Sequence, residues 1–212
     1  MTNSDFFAWL REQQDNKRLT QSMVDGANEL LAYIEPRELQ QSIAKINNWQ
    51  VNREGMQLSK SGSDFIKSYE RFMSNPYRDA VGVWTIGFGS TYYEDRRKVS
   101  GSDKPISEVR ASELKQNIIN MDFAPAVNLL FADEIARGQI NQNQFDALLS
   151  LAYNIGTRGL AGSSVYKNIK RGNYKAAADS FLAWNKGRVN GKLVELRGLT
   201  RRRNDERAMS LS

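Results

Sequence analysis

The stretch that decides the fold runs from residue 69 to residue 89 and reads YERFMSNPYRDAVGVWTIGFG. Between Val81 and Phe88, residues that suit strands alternate between two faces, and glycines stand at positions 82, 87 and 89. A period of two broken by glycine indicates a small antiparallel sheet with tight turns. We place this sheet between Tyr77 and Tyr93. Because the flanking segments have helical spacing instead, the stretch predicts an α+β fold.

The segments around the predicted sheet are helical. Before it, a short amphipathic helix begins near Ser63 and is stopped by Asn75-Pro76. After Pro105 the pattern predicts five further helices, over residues 107–120, 123–131, 141–154, 163–170 and 174–184. Gly156 and Gly172 are their stop signals. We therefore expect a mainly helical protein with one small antiparallel sheet and a helical C-terminal lobe.

The first 58 residues are predicted to form a unit of their own. Apolar residues recur at helical spacing from Leu19 to Ile34 and from Leu39 to Trp49, with a break at Glu35-Pro36 and a capping Thr20. The polar run over residues 52–63 has the glycines and serines of a linker. This places a domain boundary near Ser59, which gives a small helical module over 1–58 and a larger domain over 59–212.

Composition restricts the chemistry more than the fold. The chain has 212 residues, of which 40% are hydrophobic and 25% charged, as is typical of a globular domain. With no His and no Cys, imidazole bases, thiolate nucleophiles and Cys/His zinc sites are excluded. Acid–base chemistry must come from carboxylates, Lys or Tyr.

The apolar residues 6–10 are followed directly by Arg11, so we expect no signal peptide and no membrane span.

The net charge of +6 is concentrated at the C-terminus. Residues 166–212 carry 12 basic and 4 acidic side chains, a net charge of +8, whereas residues 59–165 carry 12 of each. Such asymmetry favours an anionic partner, and a solvated surface without a partner is an equally good explanation. Among anionic partners, nucleic acid, an acidic membrane surface and a cell-wall polymer all remain open.

Two carboxylates flank the start of the predicted sheet in different surroundings. Glu70 lies between aromatic residues, where burial would raise its pKa, and Asp79 lies nine positions later in polar company. One protonated and one ionised carboxyl group are what glycosidic cleavage requires. Thr85, six residues beyond Asp79, could hold a water for attack. Taken alone, a Glu and an Asp at this spacing are more often solvated surface residues.

The wider pattern resembles the phage-type lysozymes, the endolysin family that includes T-even phage lysozyme. In that family a Glu, eight residues, an Asp, five residues and a Thr form the catalytic triad, and Glu70, Asp79 and Thr85 have this spacing. Residues 143–164 resemble the central helix of the family, and residues 184–206 resemble its C-terminal signature. The chain departs at Ser90, where many members carry His.

This resemblance implies a lysozyme-like fold for residues 59–212 and an endo-acting muramidase of the glycoside hydrolase family 24 type. It would hydrolyse the β-1,4 bond between N-acetylmuramic acid and N-acetylglucosamine in peptidoglycan, with inversion and without a metal or cofactor. The catalytic residues would be Glu70, Asp79 and Thr85. Tyr153 and Asn154 match positions that line the saccharide cleft of relatives, although a Tyr on an apolar helix such as Tyr153 is more often a core residue. The module over 1–58 would be a wall-binding or interaction segment, or a packing extension.

Two rival functions are open at this point. A lytic transglycosylase cleaves the same bond without water, and the presence of Asp79 and Thr85 argues against it. A basic nucleic-acid-binding protein would use arginines such as Arg201–Arg203 and Arg207. On the lysozyme reading we expect a monomer that binds peptidoglycan and no nucleic acid, with anionic wall or outer-membrane polymers as further partners of the basic segment. It would be made in the host cytoplasm and reach the wall through a holin, unless it is carried on a virion tail.

Overall fold

Three helices form the N-terminal unit. The computed structural model describes residues 1–14, 18–50, 55–189 and 191–212, and for residues 44–50 the backbone only. The helices are α1 (Asn3–Glu12), α2 (Gln21–Leu31) and α3 (Pro36–Gln50). The predicted cap is confirmed, because the Thr20 hydroxyl accepts a hydrogen bond from the Met23 amide. The side chain of Trp49 and residues 52–54 of the predicted linker lie outside the described part.

The predicted sheet follows one short helix. That helix is α4 (Lys60–Lys67), and the strands are β1 (Met73–Arg78) and β2 (Trp84–Gly87), which pair antiparallel with Tyr77 opposite Thr85. The prediction that the helix continues to Asn75-Pro76 is wrong, since this dipeptide lies inside β1. A proline fits there because β1 has a free edge in this two-stranded sheet and an irregular register before Tyr77.

The C-terminal lobe is built mainly from helices. The predicted segments appear with shifted ends, together with additional elements. In order they are α5 (Glu108–Asp122), α6 (Ala124–Leu130), α7 (Ala132–Ala136), α8 (Gln142–Ile155), α9 (Thr157–Gly162), α10 (Ser164–Lys170), α11 (Tyr174–Ser180), a 3-10 helix (Phe181–Trp184), β3 (Lys186–Val189), β4 (Lys192–Glu195) and α12 (Arg197–Ser210). The expected α+β, mainly helical class is confirmed.

The expectation of a single sheet is wrong. β3 and β4 form a second antiparallel hairpin, with Lys186 opposite Glu195 and Val189 opposite Lys192. The sequence contains a signal for this hairpin, since the dipeptide Asn-Gly at 190–191 favours a two-residue hairpin turn, and Gly191 has φ +79°. Asn190 itself lies outside the described residues. Each strand has only four residues and carries charged side chains, so the alternation of apolar and polar residues that is typical of a strand is hard to recognise in this basic segment.

One hydrophobic cluster extends from the N-terminal unit into the larger domain. Phe6 of α1 and Leu39 of α3 are buried in the same cluster as Phe145 and Leu151 of α8. α3 contacts both α6 and α7, and α2 contacts α9. Burial of this kind stabilises by about 25 cal/mol for each Å² of apolar surface removed from water. The N-terminal helices therefore share a core with the domain that they precede.

The start of α4 is fixed to α8 by a buried carboxylate. Asp146 of α8 accepts hydrogen bonds from the Ser59 amide (3.0 Å) and from the Ser59 hydroxyl. Gly62 of α4 lies against it so closely that a Cβ there would come within 2.5 Å of the Asp146 carboxyl carbon. At the other end of the helix, Lys67 donates to Ser112 of α5 (2.9 Å). Both ends of α4 are thus held before the chain reaches Glu70.

None of the helices in the described ranges is long and apolar enough to span a membrane.

Candidate active site

Glu70 lies three residues beyond the end of α4, in the turn that leads to β1. Its amide donates to the Lys67 carbonyl (2.9 Å), which continues the helical turn and fixes the backbone. The side chain is half-buried, and this burial raises the pKa of its carboxyl group. Lys115 and, to a smaller extent, Arg202 oppose the rise through their positive charges. Glu70 is therefore suited to hold a proton that a fully solvated carboxyl would lose.

Gly89 keeps the space beside Glu70 open. A Cβ at this position would lie 3.6 Å from Glu70 Oε2 and 3.9 Å from Lys115 Nζ. Gly89 also has φ +77°, in the left-handed region that side chains rarely adopt. The glycine that the sequence suggested for a tight turn thus also borders the carboxyl group.

Asp79 organises the turn between β1 and β2. Its Oδ1 accepts hydrogen bonds from the amides of Val81 (3.0 Å) and Val83 (2.8 Å). Its own amide donates to the Val83 carbonyl (3.0 Å). Neither side-chain bond uses Oδ2. The turn therefore orients the carboxylate while one of its oxygens stays outside these bonds.

Thr85 is joined to the same turn. Its side chain is buried, and its hydroxyl donates to the Val83 carbonyl (3.1 Å). The Val83 amide also donates a hydrogen bond to Asp79, so the backbone of Val83 holds the side chains of both Asp79 and Thr85. The hydroxyl oxygen retains acceptor capacity for a water or a substrate hydroxyl.

Tyr77 links the two halves of the site. Burial raises the pKa of its phenol, and the negative charges of Glu70 and Asp79 raise it further. Both carboxylates thus act on one phenol, which stands opposite Thr85 in the sheet. Glu70 thus lies in the turn before the β1–β2 hairpin that carries Asp79 and Thr85, and the three remain the candidate catalytic residues.

The two predicted substrate contacts are placed differently. Tyr153 of α8 is half-buried, its ring lies edge-on to Phe123 at 5.6 Å between centroids, and its hydroxyl accepts from Lys115 Nζ at 2.7 Å. Burial raises the pKa of its phenol, with the Glu70 charge as the next contribution. Asn154 is exposed. Tyr153 thus belongs both to the packed interior and to the electrostatic surroundings of Glu70.

Three buried charged residues, two of which act on Glu70, were given no role at the site by the sequence interpretation. Arg202 of α12 lies over the Tyr69 ring (5.2 Å from guanidinium carbon to ring centroid) and donates to Glu206 (3.1 Å) and to the Ser150 hydroxyl (3.1 Å). Arg203 is also buried and donates to Glu206 (3.0 Å). The third is Lys115, whose signal was its place on the buried face of α5, four residues after Ala111 and one after Leu114.

The burial of Arg202 and Arg203 corrects the picture of a basic surface along Arg201–Arg203. Only Arg201 of these three is exposed. Arg207 is half-buried and donates to Asp179 (2.7 Å). The exposed cations of the segment include three on the second hairpin, at Lys186, Arg188 and Lys192. The others are Lys167, Arg171, Lys175, Arg197 and Arg201.

The described residues contain no group of three or more Asp or Glu side chains that could together bind a metal ion.

The chain matches known proteins over the region that carries this site. The family model of phage lysozymes matches residues 67–206. The endolysin of Salmonella phage P22 is 36% identical over 157 residues, which are 74% of this chain and 99% of the relative. A crystal structure of a P22 lysozyme mutant superposes with a TM-score of 0.60 at 35% identity, covering 74% of this chain and 99% of that one.

A further solved structure is the muramidase domain of SpmX from Asticaccaulis excentricus. Its TM-score is 0.55 at 28% identity, over 74% of this chain and 98% of that domain. The predicted lysozyme-like fold is confirmed by these neighbours. The matches leave most of residues 1–58 outside the shared region.

Replacing Glu70 by Gln is expected to stabilise the protein at neutral pH. Because the folded pKa is raised above the ordinary 4.5, the native state binds more protons than the unfolded state between these two values, and stability falls as the pH rises through that window. The amide never ionises. Thermal denaturation at pH 7 should give Glu70→Gln the higher Tm, and the difference should narrow below about pH 4. Glu113→Gln, exposed on α5, should leave Tm nearly unchanged, and a lower Tm for Glu70→Gln would contradict the expectation.

Proposed function

This chain belongs to the phage lysozyme family, and from that premise we propose that it hydrolyses the β-1,4 bond between N-acetylmuramic acid and N-acetylglucosamine. Family membership makes it a lysozyme-type hydrolase that acts on the peptidoglycan of the bacterial cell wall. The particular bond, the muramidase specificity and the stereochemistry are the proposal. The observation that carries it is the half-buried Glu70 carboxyl beside the Asp79–Val83–Thr85 turn.

Glu70 acts as the general acid. Burial favours its protonated form, and that proton is transferred to the glycosidic oxygen as the bond to the anomeric carbon breaks. The leaving sugar departs as an alcohol, and the other sugar acquires oxocarbenium character. Lys115 and Arg202 then stabilise the carboxylate that Glu70 becomes.

Asp79 and Thr85 supply the nucleophile. The Asp79 carboxylate accepts a proton from a water that the Thr85 hydroxyl helps to orient, and the water oxygen attacks the anomeric carbon from the face opposite the leaving group. The two carboxyl groups of an inverting glycosidase stand about 6.5–9.5 Å apart, which leaves room for this water. The turn hydrogen bonds hold Asp79 in a fixed orientation for the task. A transglycosylase would need neither residue in this role.

We also propose that Tyr153 and Asn154 border the bound glycan. Tyr153 supports this through its place near Glu70, and Asn154 through its exposure at the end of α8. The boundary near Ser59 is kept as a proposal, with residues 1–58 as a packing extension of the catalytic domain. Its support is the cluster that buries Phe6 and Leu39 together with α8. Synthesis in the host cytoplasm and holin-dependent release complete the proposal.

Glu70→Gln should abolish most of the activity. The amide keeps the shape of the side chain but cannot deliver a proton, and general acid catalysis contributes about 10² to 10⁴ in rate. Release of soluble muropeptides from purified peptidoglycan, followed by mass spectrometry, measures the rate and distinguishes a hydrated product from the anhydro sugar of a transglycosylase. Glu113→Gln is the matched control. More than about a tenth of the wild-type turnover in Glu70→Gln would exclude Glu70 as the acid.

The first-formed product should have the inverted, α configuration at the new reducing end. This follows if Asp79 activates a water instead of forming a covalent glycosyl intermediate. Proton NMR within the first minutes of digestion, before mutarotation, reports the anomer. Initial appearance of the β anomer would show a retaining mechanism and would leave the assignment of Glu70 as the acid standing.

We further propose that the β3–β4 hairpin provides attraction to anionic wall or outer-membrane polymers. Its exposed cations accompany exposed apolar side chains, among which Leu193 is 63% exposed. Such surface charge accelerates association with an anionic partner, and the attraction weakens as the salt concentration rises. This places the attraction predicted for the basic C-terminal segment on the hairpin and not on the buried arginines.

Neutralising Lys186 and Lys192 together, as glutamines, should slow lysis of intact cells more than digestion of short soluble glycans. The reason is that long-range attraction matters for a large anionic surface and little for a small fragment. Lys98→Gln with Lys104→Gln removes the same charge from exposed positions outside the segment and is the control. Equal losses on cells and on soluble glycan, or the same loss in the control, would refute the role of the hairpin.

A further inference from the structure

A buried lysine lies beneath the candidate active site. Lys115 is only 1% exposed, on the face of α5 that also buries Ala111, Leu114 and Ile118. Within the described residues, no carboxylate oxygen lies within the 4.0 Å of an ion pair with its ammonium group. Burying a charge without such a partner destabilises a protein, and an apolar side chain would serve packing better. The position of this charge therefore calls for an explanation other than packing.

The ammonium group is held by Tyr153. Lys115 Nζ donates to the Tyr153 hydroxyl at 2.7 Å and lies 4.8 Å from the centroid of the same ring. Phe123 packs edge-on against that ring. The phenol oxygen and the ammonium group thus fix each other inside the domain.

Glu70 lies near this pair. Glu70 Oε2 and Lys115 Nζ both come within 4 Å of the empty position beside Gly89. The groups that face Glu70 are Lys115 from α5, Arg202 from α12, Tyr153 from α8 and Tyr77 from β1.

The two cations near Glu70 are not equivalent. Arg202 already donates to Glu206, so its charge is largely compensated. Lys115 donates to a neutral phenol, and it is the stronger of the two influences on Glu70. Its positive charge is therefore directed mainly at the Glu70 carboxyl.

We propose that Lys115 is a positioning residue of the active site, whose buried ammonium group fixes the Tyr153 phenol and sets the pH range over which Glu70 carries its proton. The inference rests on the proposed function of Glu70 as the general acid. Burial alone would make Glu70 hold its proton too tightly to transfer it, and the nearby cation offsets this effect.

The charge state of Lys115 is compatible with this role. Burial lowers the pKa of Lys115 to about 8, while Glu70 acts against that decrease and Arg202 adds to it. The ammonium form thus predominates at and below neutral pH, where a general acid has to work. At higher pH the site loses this charge.

Lys115→Met tests the proposal through the titration of Glu70. In protein labelled with ¹³C at glutamate carboxyl carbons, Glu70 is assigned by its loss in Glu70→Gln and followed by NMR from acid to neutral pH. We expect Lys115→Met to move the Glu70 titration upward by about one pH unit or more, since a neighbouring opposite charge has effects of this size. The alkaline limb of the kcat/KM profile on soluble glycan should move in the same direction.

Three further variants separate charge from structure. Lys115→Arg should restore a titration near that of the wild type, whereas Lys115→Gln should behave like Lys115→Met and replaces it if the methionine variant does not fold. Tyr153→Phe removes the phenol but keeps the charge, so it should shift the titration by less than half as much. Unchanged Glu70 titration in the uncharged variants, within about 0.3 units, would overturn the proposal. Because this readout requires no turnover, it remains decisive even if Glu70→Gln proves active.

Discussion

The structure depends on the need to bury a carboxyl group without either leaving it permanently protonated or destabilising the fold. As the proposed general acid, Glu70 needs to lose enough water to hold a proton at the pH of the reaction, and the same desolvation opposes its ionised form. Lys115 and Arg202 stabilise that form from two different helices. At Glu70, burial and positive charge therefore act in opposite directions on the pKa. α5 and α12 supply the two charges, and Tyr153 of α8 holds the ammonium group of Lys115.

α12 carries a group of buried charges, of which Arg202 acts on Glu70. Arg202 reaches toward the rings of Tyr69 and Tyr153 while its guanidinium group donates to Glu206. Glu206 also accepts from Arg203 and from the Ser150 hydroxyl (2.6 Å), which joins α12 to α8. Breaking one partner of a buried group of this kind typically costs about 3–5 kcal/mol, because the remaining charges lose their compensation. The C-terminal helix is thus part of the site's electrostatics and not a surface appendage.

Sequence patterns predict those features whose cause is local. The alternation from Val81 to Phe88 predicts β2 because the side-chain period of a strand is set by its own backbone, whereas sequence reasoning assigns most of β1 to a helix. The spacing of Glu70, Asp79 and Thr85 points to the candidate site for a similar reason, since one turn holds the latter two residues. The end of α4 was missed because proline normally stops helices, and its acceptance in an edge strand depends on pairing with β2.

Features that depend on distant residues were beyond such reasoning. The burial of Lys115 depends on Tyr153, 38 positions later in the chain, which supplies the acceptor for its ammonium group.

The charge count of residues 166–212 likewise shows how basic the segment is, but it does not show which of its charged side chains are buried. Arg202, Arg203 and Glu206 enter the interior together with a net charge of +1, so their burial changes the net surface charge little. The cations that stay exposed include those of the β3–β4 hairpin, where apolar side chains stand beside them. One basic segment thereby divides into a buried part, in which Arg202 acts on Glu70, and an exposed part that includes the hairpin proposed to attract anionic polymers.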